Sequence, residues 1–116
     1  MEIEVYEICG SRSATVRHYT DLKNAADSHS PTEIIHGGAR GADALARTYA
    51  EEHQIPQCVV LPQWTTYGRA AGPRRNAEMV EKCDAVLALW DGESLGTANT
   101  INIAKKAGKP VRIIRL

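Results

Sequence analysis

Apolar positions along the chain fall into short runs separated by longer stretches at helical spacing. Ile3, Val5 and Ile8 mark a first strand that stops at Cys9-Gly10-Ser11-Arg12. Residues 14–28 carry Val16, Tyr19, Leu22, Ala25 and Ala26 at roughly helical intervals, and Ser30-Pro31 marks a turn after them. Glu33 to His36 forms a short second strand, broken by Gly37-Gly38. Ala42 to His53 is an Ala-rich helix with Leu45, Ala46, Tyr49 and Ala50 on one face. Cys58 to Leu61 reads as a third strand closed by Pro62, and residues 62–71 as an irregular segment containing Trp64 and Tyr67. Gly72-Pro73 opens a helix to about Cys83, because proline suits the first helical position. Ala85 to Trp90 is nearly unbroken in apolar residues, as a strand buried on both faces requires. A loop over Asp91 to Gly96 leads into a helix from Thr97 to Ala107, which Gly108 ends. Val111 to Ile114 is the last strand.

Strict alternation of strand and helix predicts an α/β fold. It is a single Rossmann-like, doubly wound domain over residues 1–116, whose five-stranded, mainly parallel sheet carries helices on both faces. The 116-residue length suits one domain with one core. The 14 basic and 14 acidic side chains cancel, so no global field draws the chain to nucleic acid or membrane, and any anion site is local. Nucleic acid is accordingly an improbable partner. The acidic start is neither a signal peptide nor a spanning helix. Cys9, Cys58 and Cys83 are odd in number and widely spaced, which fits reduced thiols and a cytoplasmic location better than disulfides or zinc. His18, His29, His36 and His53 lack metal-ligand spacing.

Parallel α/β sheets bind ligands at the carboxyl ends of their strands, and the unusual residues cluster there. Gly10-Ser11-Arg12 follows the first strand, Gly37 to Asp43 the second, Leu61 to Trp64 the third, and Trp90 to Thr97 the fourth. The opposite turns are plain connectors. Gly37-Gly38-Ala39-Arg40-Gly41-Ala42-Asp43 runs from strand into helix. Its glycines allow close backbone approach, and the helix start offers unpaired N–H groups, together a seat for phosphate. The same residues also serve as a tight turn, with Asp43 as a simple cap. Arg40 strengthens the phosphate reading, since its planar fork grips anions. Gly96-Thr97 repeats the device at the next helix start. Arg74 and Arg75 in a first helical turn oppose the macrodipole unless an anion or Glu78 relieves them. Trp64 can stack on a base or close the core.

These runs, with Trp64-x-x-Tyr67-Gly68-Arg69 through Arg75-Asn76 to Met79 and the closing Gly108-x-Pro110-Val111, resemble the YspA-related (cpYpsA-related) branch of the SLOG superfamily. That superfamily includes LOG-like and DprA-like proteins. The resemblance spans nearly the whole chain and implies a Rossmann-like fold that binds nucleotides or nucleotide-derived signals. LOG-type phosphoribohydrolases carry a PGGxGTxxE segment. Here the aligned stretch keeps Gly96-Thr97 but has Thr100 at the glutamate position and lacks the double glycine.

The leading expectation is a protein that senses or sequesters a phosphorylated nucleotide-derived small molecule. Gly10, Ser11, Arg12, Gly37, Gly38, Ala39, Arg40, Gly41, Asp43, Trp64, Arg75, Asn76, Gly96 and Thr97 would form its ligand site. No cofactor is called for beyond that ligand, no membrane contact is expected, and a homodimer is left open. Two alternatives stand beside it. One is a nucleotide N-glycosidase with Asp91 or Glu93 as a displaced catalytic carboxylate; the other is a DprA-like single-stranded nucleic-acid-binding module.

Overall fold

Five strands form one sheet in the order β3-β2-β1-β4-β5. In chain order the elements are β1 (Val5–Gly10), α1 (Tyr19–Asp27), β2 (Glu33–His36), α2 (Ala42–Glu52), β3 (Gln57–Val59), α3 (Trp64–Tyr67), α4 (Ala71–Lys82), β4 (Ala85–Trp90), α5 (Leu95–Lys106) and β5 (Val111–Arg115). The computed structural model describes residues 3–116. Every pairing is parallel, with Tyr6 opposite both Ile34 and Ala85 at the centre. None of the described helices is long and apolar enough to cross a membrane.

The period-two alternation of the strands sorts side chains onto two faces. Tyr6, Ile8, Ile34, Leu87 and Leu89 pack under α1 and α2, against Leu22, Leu45, Ala46 and Tyr49. Cys9, Ile35, Val86 and Ala88 pack under α4 and α5, against Met79, Val80, Ile101 and Ala104. Covered on both sides, β4 is buried from Ala85 to Leu89, which explains its uninterrupted apolar run.

The chain winds outward from β1 through β2 to β3, then returns across the sheet to β4 on the other flank of β1. The carboxyl ends of β1 and β4 therefore diverge into helices on opposite faces, the arrangement that opens a crevice in doubly wound sheets. Gly10 makes the close approach there. Its φ is +152°, and a Cβ would lie 2.1 Å from the Leu89 carbonyl oxygen.

Several boundaries differ from those the sequence predicts. The helix predicted over 14–28 begins as a 3-10 turn at Val16–His18 and becomes α-helical only at Tyr19. The segment 62–71 is not irregular: α3 and a 3-10 turn at Gly68–Ala70 lead directly into α4, which starts at Ala71, ahead of Pro73. The third strand stops at Val59, two residues earlier than predicted.

Candidate functional site

The crevice between β1 and β4 holds a cavity of about 450 Å³ lined by Gly10, Arg12, Ser13, Ala39, Asp43, Arg75, Asn76, Asp91, Ser94, Gly96, Thr97 and Thr100, with Cys9 and Met79 as its floor. Three of the four segments that follow strands meet here, those after β1, β2 and β4; the fourth contributor is α4, and Leu61 to Trp64 after β3 does not line the cavity.

Ser11 ties them together and is itself 1% exposed. Its N–H donates to Leu89 O at 2.8 Å, its carbonyl accepts from Ala14 N and Ala42 N, and its Oγ accepts from Asp91 N at 3.0 Å. Gly41, the N-cap of α2, has φ +76°, and a Cβ there would lie 2.5 Å from the Ser11 carbonyl oxygen and the Arg12 Cα. The start of α2 is held directly against the end of β1 for this reason.

Arg75 is half-buried, the fifth residue of α4. Its Nη1 donates to Gly37 O at 2.9 Å and Val60 O at 3.3 Å, and its Nε donates to Asn76 Oδ1 at 3.1 Å. Nη2 takes part in none of these bonds, and among the described residues the guanidinium forms no ion pair with a carboxylate. Asn76 continues the relay by donating from Nδ2 to Gly96 O at 3.4 Å, which couples α4 to the start of α5. The i, i+4 alternative for these arginines is excluded, because Glu78 pairs with Lys82 and Arg74 stacks over Tyr67, 4.2 Å from the ring centroid.

Both carboxylates on the rim are engaged by backbone. Asp43 Oδ2 accepts from Ala39 N at 3.1 Å, and burial pushes its pKa above the ordinary aspartate value. Asp91 Oδ1 accepts from Glu93 N and Ser94 N, both at 2.8 Å, and those N–H groups hold its pKa below the ordinary value. Ser94 Oγ and Thr97 Oγ1 lie 3.1 Å apart at the start of α5. His36 is 2% exposed. Its Nδ1 accepts from Gly38 N, so Nε2 carries the proton and donates to Gln57 Oε1 at 2.8 Å.

The cavity gathers Gly10, Arg12, Ala39, Asp43, Arg75, Asn76, Gly96 and Thr97 of the predicted set, together with Asp91. Ser11 and Gly37 act one step behind it through backbone bonds, and Gly41 through its approach to Ser11. Gly38 lines a second cavity of about 380 Å³ with His36, Gln57, Val59 and Leu61, on the other side of the glycine turn. Arg40 and Glu93 are exposed and line neither cavity. Trp64 is 58% exposed on α3, so it neither closes the core nor reaches the crevice. Ser13, Ser94 and Thr100 escape a reading of the sequence; hydroxyls beside the Gly-Ser-Arg and Gly-Thr runs are the available signal. Glu7, at the centre of β1 and 0% exposed, escapes it too.

Among the described residues no group of three or more His, Cys, Asp or Glu side chains is placed to hold a metal ion. Cys9, Cys58 and Cys83 are free thiols.

A doubly wound parallel sheet with a polar crevice at its switch point defines a Rossmann-like protein. Residues 8–67 match the YspA, cpYpsA-related SLOG family, and the chain belongs to it. The Gene 61 protein of Mycobacterium phage D29 is 40% identical over 84 residues, 67% of each chain. DNA processing protein A from Streptococcus pneumoniae superposes on 99% of this chain with TM-score 0.76 and 18% identity. The Helicobacter pylori counterpart, described for its single-stranded DNA binding mode, superposes on 98% with TM-score 0.72 and 18% identity. This chain spans 51% of the first and 66% of the second.

These likenesses correct the expectation that nucleic acid is an improbable partner. A fold matching nearly the whole chain belongs to a protein with a single-stranded DNA binding mode. Zero net charge is the wrong guide, because it averages over the surface, whereas Arg12 and Arg75 meet at one crevice.

Proposed function

We propose that the crevice binds a phosphorylated nucleotide-derived ligand and that the protein senses or sequesters it in the cytoplasm. The observation that carries this reading is Arg75, a half-buried guanidinium lining the cavity and lacking a carboxylate partner among the described residues. An anion would supply the missing countercharge. The starts of α2 and α5 add N–H groups beside it, and Thr97 and Ser94 add hydroxyls. Asp43 and Asp91 on the same rim are acceptors suited to sugar hydroxyls, so a sugar phosphate fits the lining better than a bare anion.

Turnover by a LOG-like route has weaker support. Glu93 lies outside the cavity, Thr100 stands at the glutamate position, and the lowered pKa of Asp91 suits an anion rather than a proton donor.

A second reading, a single-stranded DNA segment in the same crevice, is supported by the likeness to Helicobacter pylori DNA processing protein A. One experiment separates the two. Thermal unfolding is followed with AMP, ADP, cyclic nucleotides, ADP-ribose and an oligothymidylate, for the wild type and Arg75→Ala. A bound nucleotide at about 100 times its Kd adds roughly 2.7 kcal/mol, a rise of about 10 °C. That rise, abolished in Arg75→Ala, supports the nucleotide reading. A rise with the oligonucleotide alone, steeply salt-dependent, favours the strand. A folded protein that no probe stabilises overturns both.

A further inference from the structure

Glu7 is a carboxyl side chain in the middle of the central strand with no exposed surface. It lies on the α4 face of the sheet, two residues before Cys9, and Cys83 lies one helical turn after Met79. Cys9 and Met79 form the cavity floor, so Glu7 and Cys83 are the layer directly beneath it. The Cys83 thiol donates to Glu7 Oε1 at 3.9 Å, whereas Oε2 is buried without a hydrogen-bond partner among the described residues. A buried, half-satisfied carboxyl is unfavourable in a core, and an apolar residue there would pack without that cost.

We propose that Glu7 is a positioning residue for the charge of the crevice: protonated, it leaves Arg75 to meet a phosphate dianion, and ionised, it competes with that phosphate for Arg75. The inference rests on the nucleotide reading above. Among the described residues Cys83 touches Glu7, and the charges that act on it come from Asp43 of α2 and Arg75 of α4, with the Cys9 thiol two residues along β1. Burial, reinforced by the charge of Asp43 and opposed by that of Arg75, pushes the Glu7 pKa up to about 8. Burial likewise pushes the Cys83 thiol up to about 12 and Cys9 well above the ordinary thiol value, so neither ionises in the range where Glu7 does. Coupling through charge is reciprocal: a proton on Glu7 favours the anion, and the anion favours the proton.

The test measures AMP affinity calorimetrically from pH 7 to pH 9.5 for the wild type and Glu7→Gln, an interval over which the phosphate stays essentially dianionic. Wild-type affinity is expected to fall about fivefold or more across the interval, while Glu7→Gln binds AMP equally at both ends. The wild-type Glu7 carboxyl, followed by NMR, should titrate at higher pH with AMP bound than without it. A wild-type affinity that does not change with pH overturns the proposal, as does a Glu7→Gln profile that falls in parallel with it. Where ADP or ADP-ribose binds and AMP does not, the same pH series is run with that nucleotide; failure of every nucleotide to bind at any pH overturns the nucleotide reading itself, and this inference with it.

Discussion

Glu7 makes stability depend on pH in a direction opposite to most carboxylates. With a native pKa of about 8 against an ordinary value of 4.5, the folded state holds the proton more tightly than the unfolded chain does. The contribution is fully present below the unfolded pKa, declines as pH rises from there toward 8, and is lost above it. Urea unfolding of the wild type should therefore show stability falling by a few kcal/mol between about pH 4.5 and pH 8, once shared contributions are subtracted using Glu7→Gln. Equal pH slopes in the two proteins would contradict the assignment. The residue is hidden in the sequence for a physical reason. In Val5-Tyr6-Glu7-Ile8 a glutamate between apolar neighbours reads as the solvent side of a half-buried strand. Only the central place of β1, with helices over both faces, turns that position inward. Arg40 misleads in the other direction: its place in the glycine turn is legible, but the outward aim of its side chain is not.

At the scale of elements, the joint between β1 and α2 depends on contacts that only glycine permits. Gly41→Ala places a Cβ against the Ser11 carbonyl and the Arg12 backbone while forcing a positive φ on a residue with a side chain. The expected cost is roughly 2–4 kcal/mol, read as a fall in Tm of about 10 °C or more. Substitution to Ala at Gly96, whose Cβ would meet open space, is the control and should leave Tm within about 3 °C. The value of the Gly37 to Asp43 run is visible in the sequence, because glycine density between a strand and a helix has few other causes. The α3–α4 junction is less legible. Tyr67-Gly68-Arg69-Ala70 has the composition of a loop, yet a 3-10 turn carries the chain into the helix and leaves Trp64 outside. Arg74 and Arg75 are legible as a pair of arginines near a helix start, but not what separates them: Arg75 turns inward to the Gly37 and Val60 carbonyls while Arg74 stacks on Tyr67.

At the scale of the whole molecule, strand order decides where chemistry collects. The alternation of elements is enough to predict five parallel strands and two helical layers. It cannot give the order β3-β2-β1-β4-β5, which rests on pairings distant in sequence, such as Tyr6 with Ala85. The order matters because it sets β1 beside β4 and so brings Gly-Ser-Arg to Gly-Thr. Partner class is the least legible property, since composition reports the average surface and the crevice is a small part of it.

The same pairing has a consequence for how the molecule comes into being on the ribosome. β1 is made before the other strands of the sheet, but its neighbour on one flank, β4, is made only after β2 and β3. Until then the growing polypeptide has half a sheet, an open central edge of Tyr6, Ile8 and Gly10, and a Glu7 that water can still reach. Non-local parallel pairing of this kind is slow and leaves strand edges exposed to aggregation. A fragment of residues 1–83 should accordingly show no cooperative unfolding transition by circular dichroism and should aggregate where the full chain stays monodisperse. The crevice, and any capacity to hold a ligand, arises late and all at once as β4 and α5 emerge. Nascent chains stalled before that point have no binding site for a ligand to rescue.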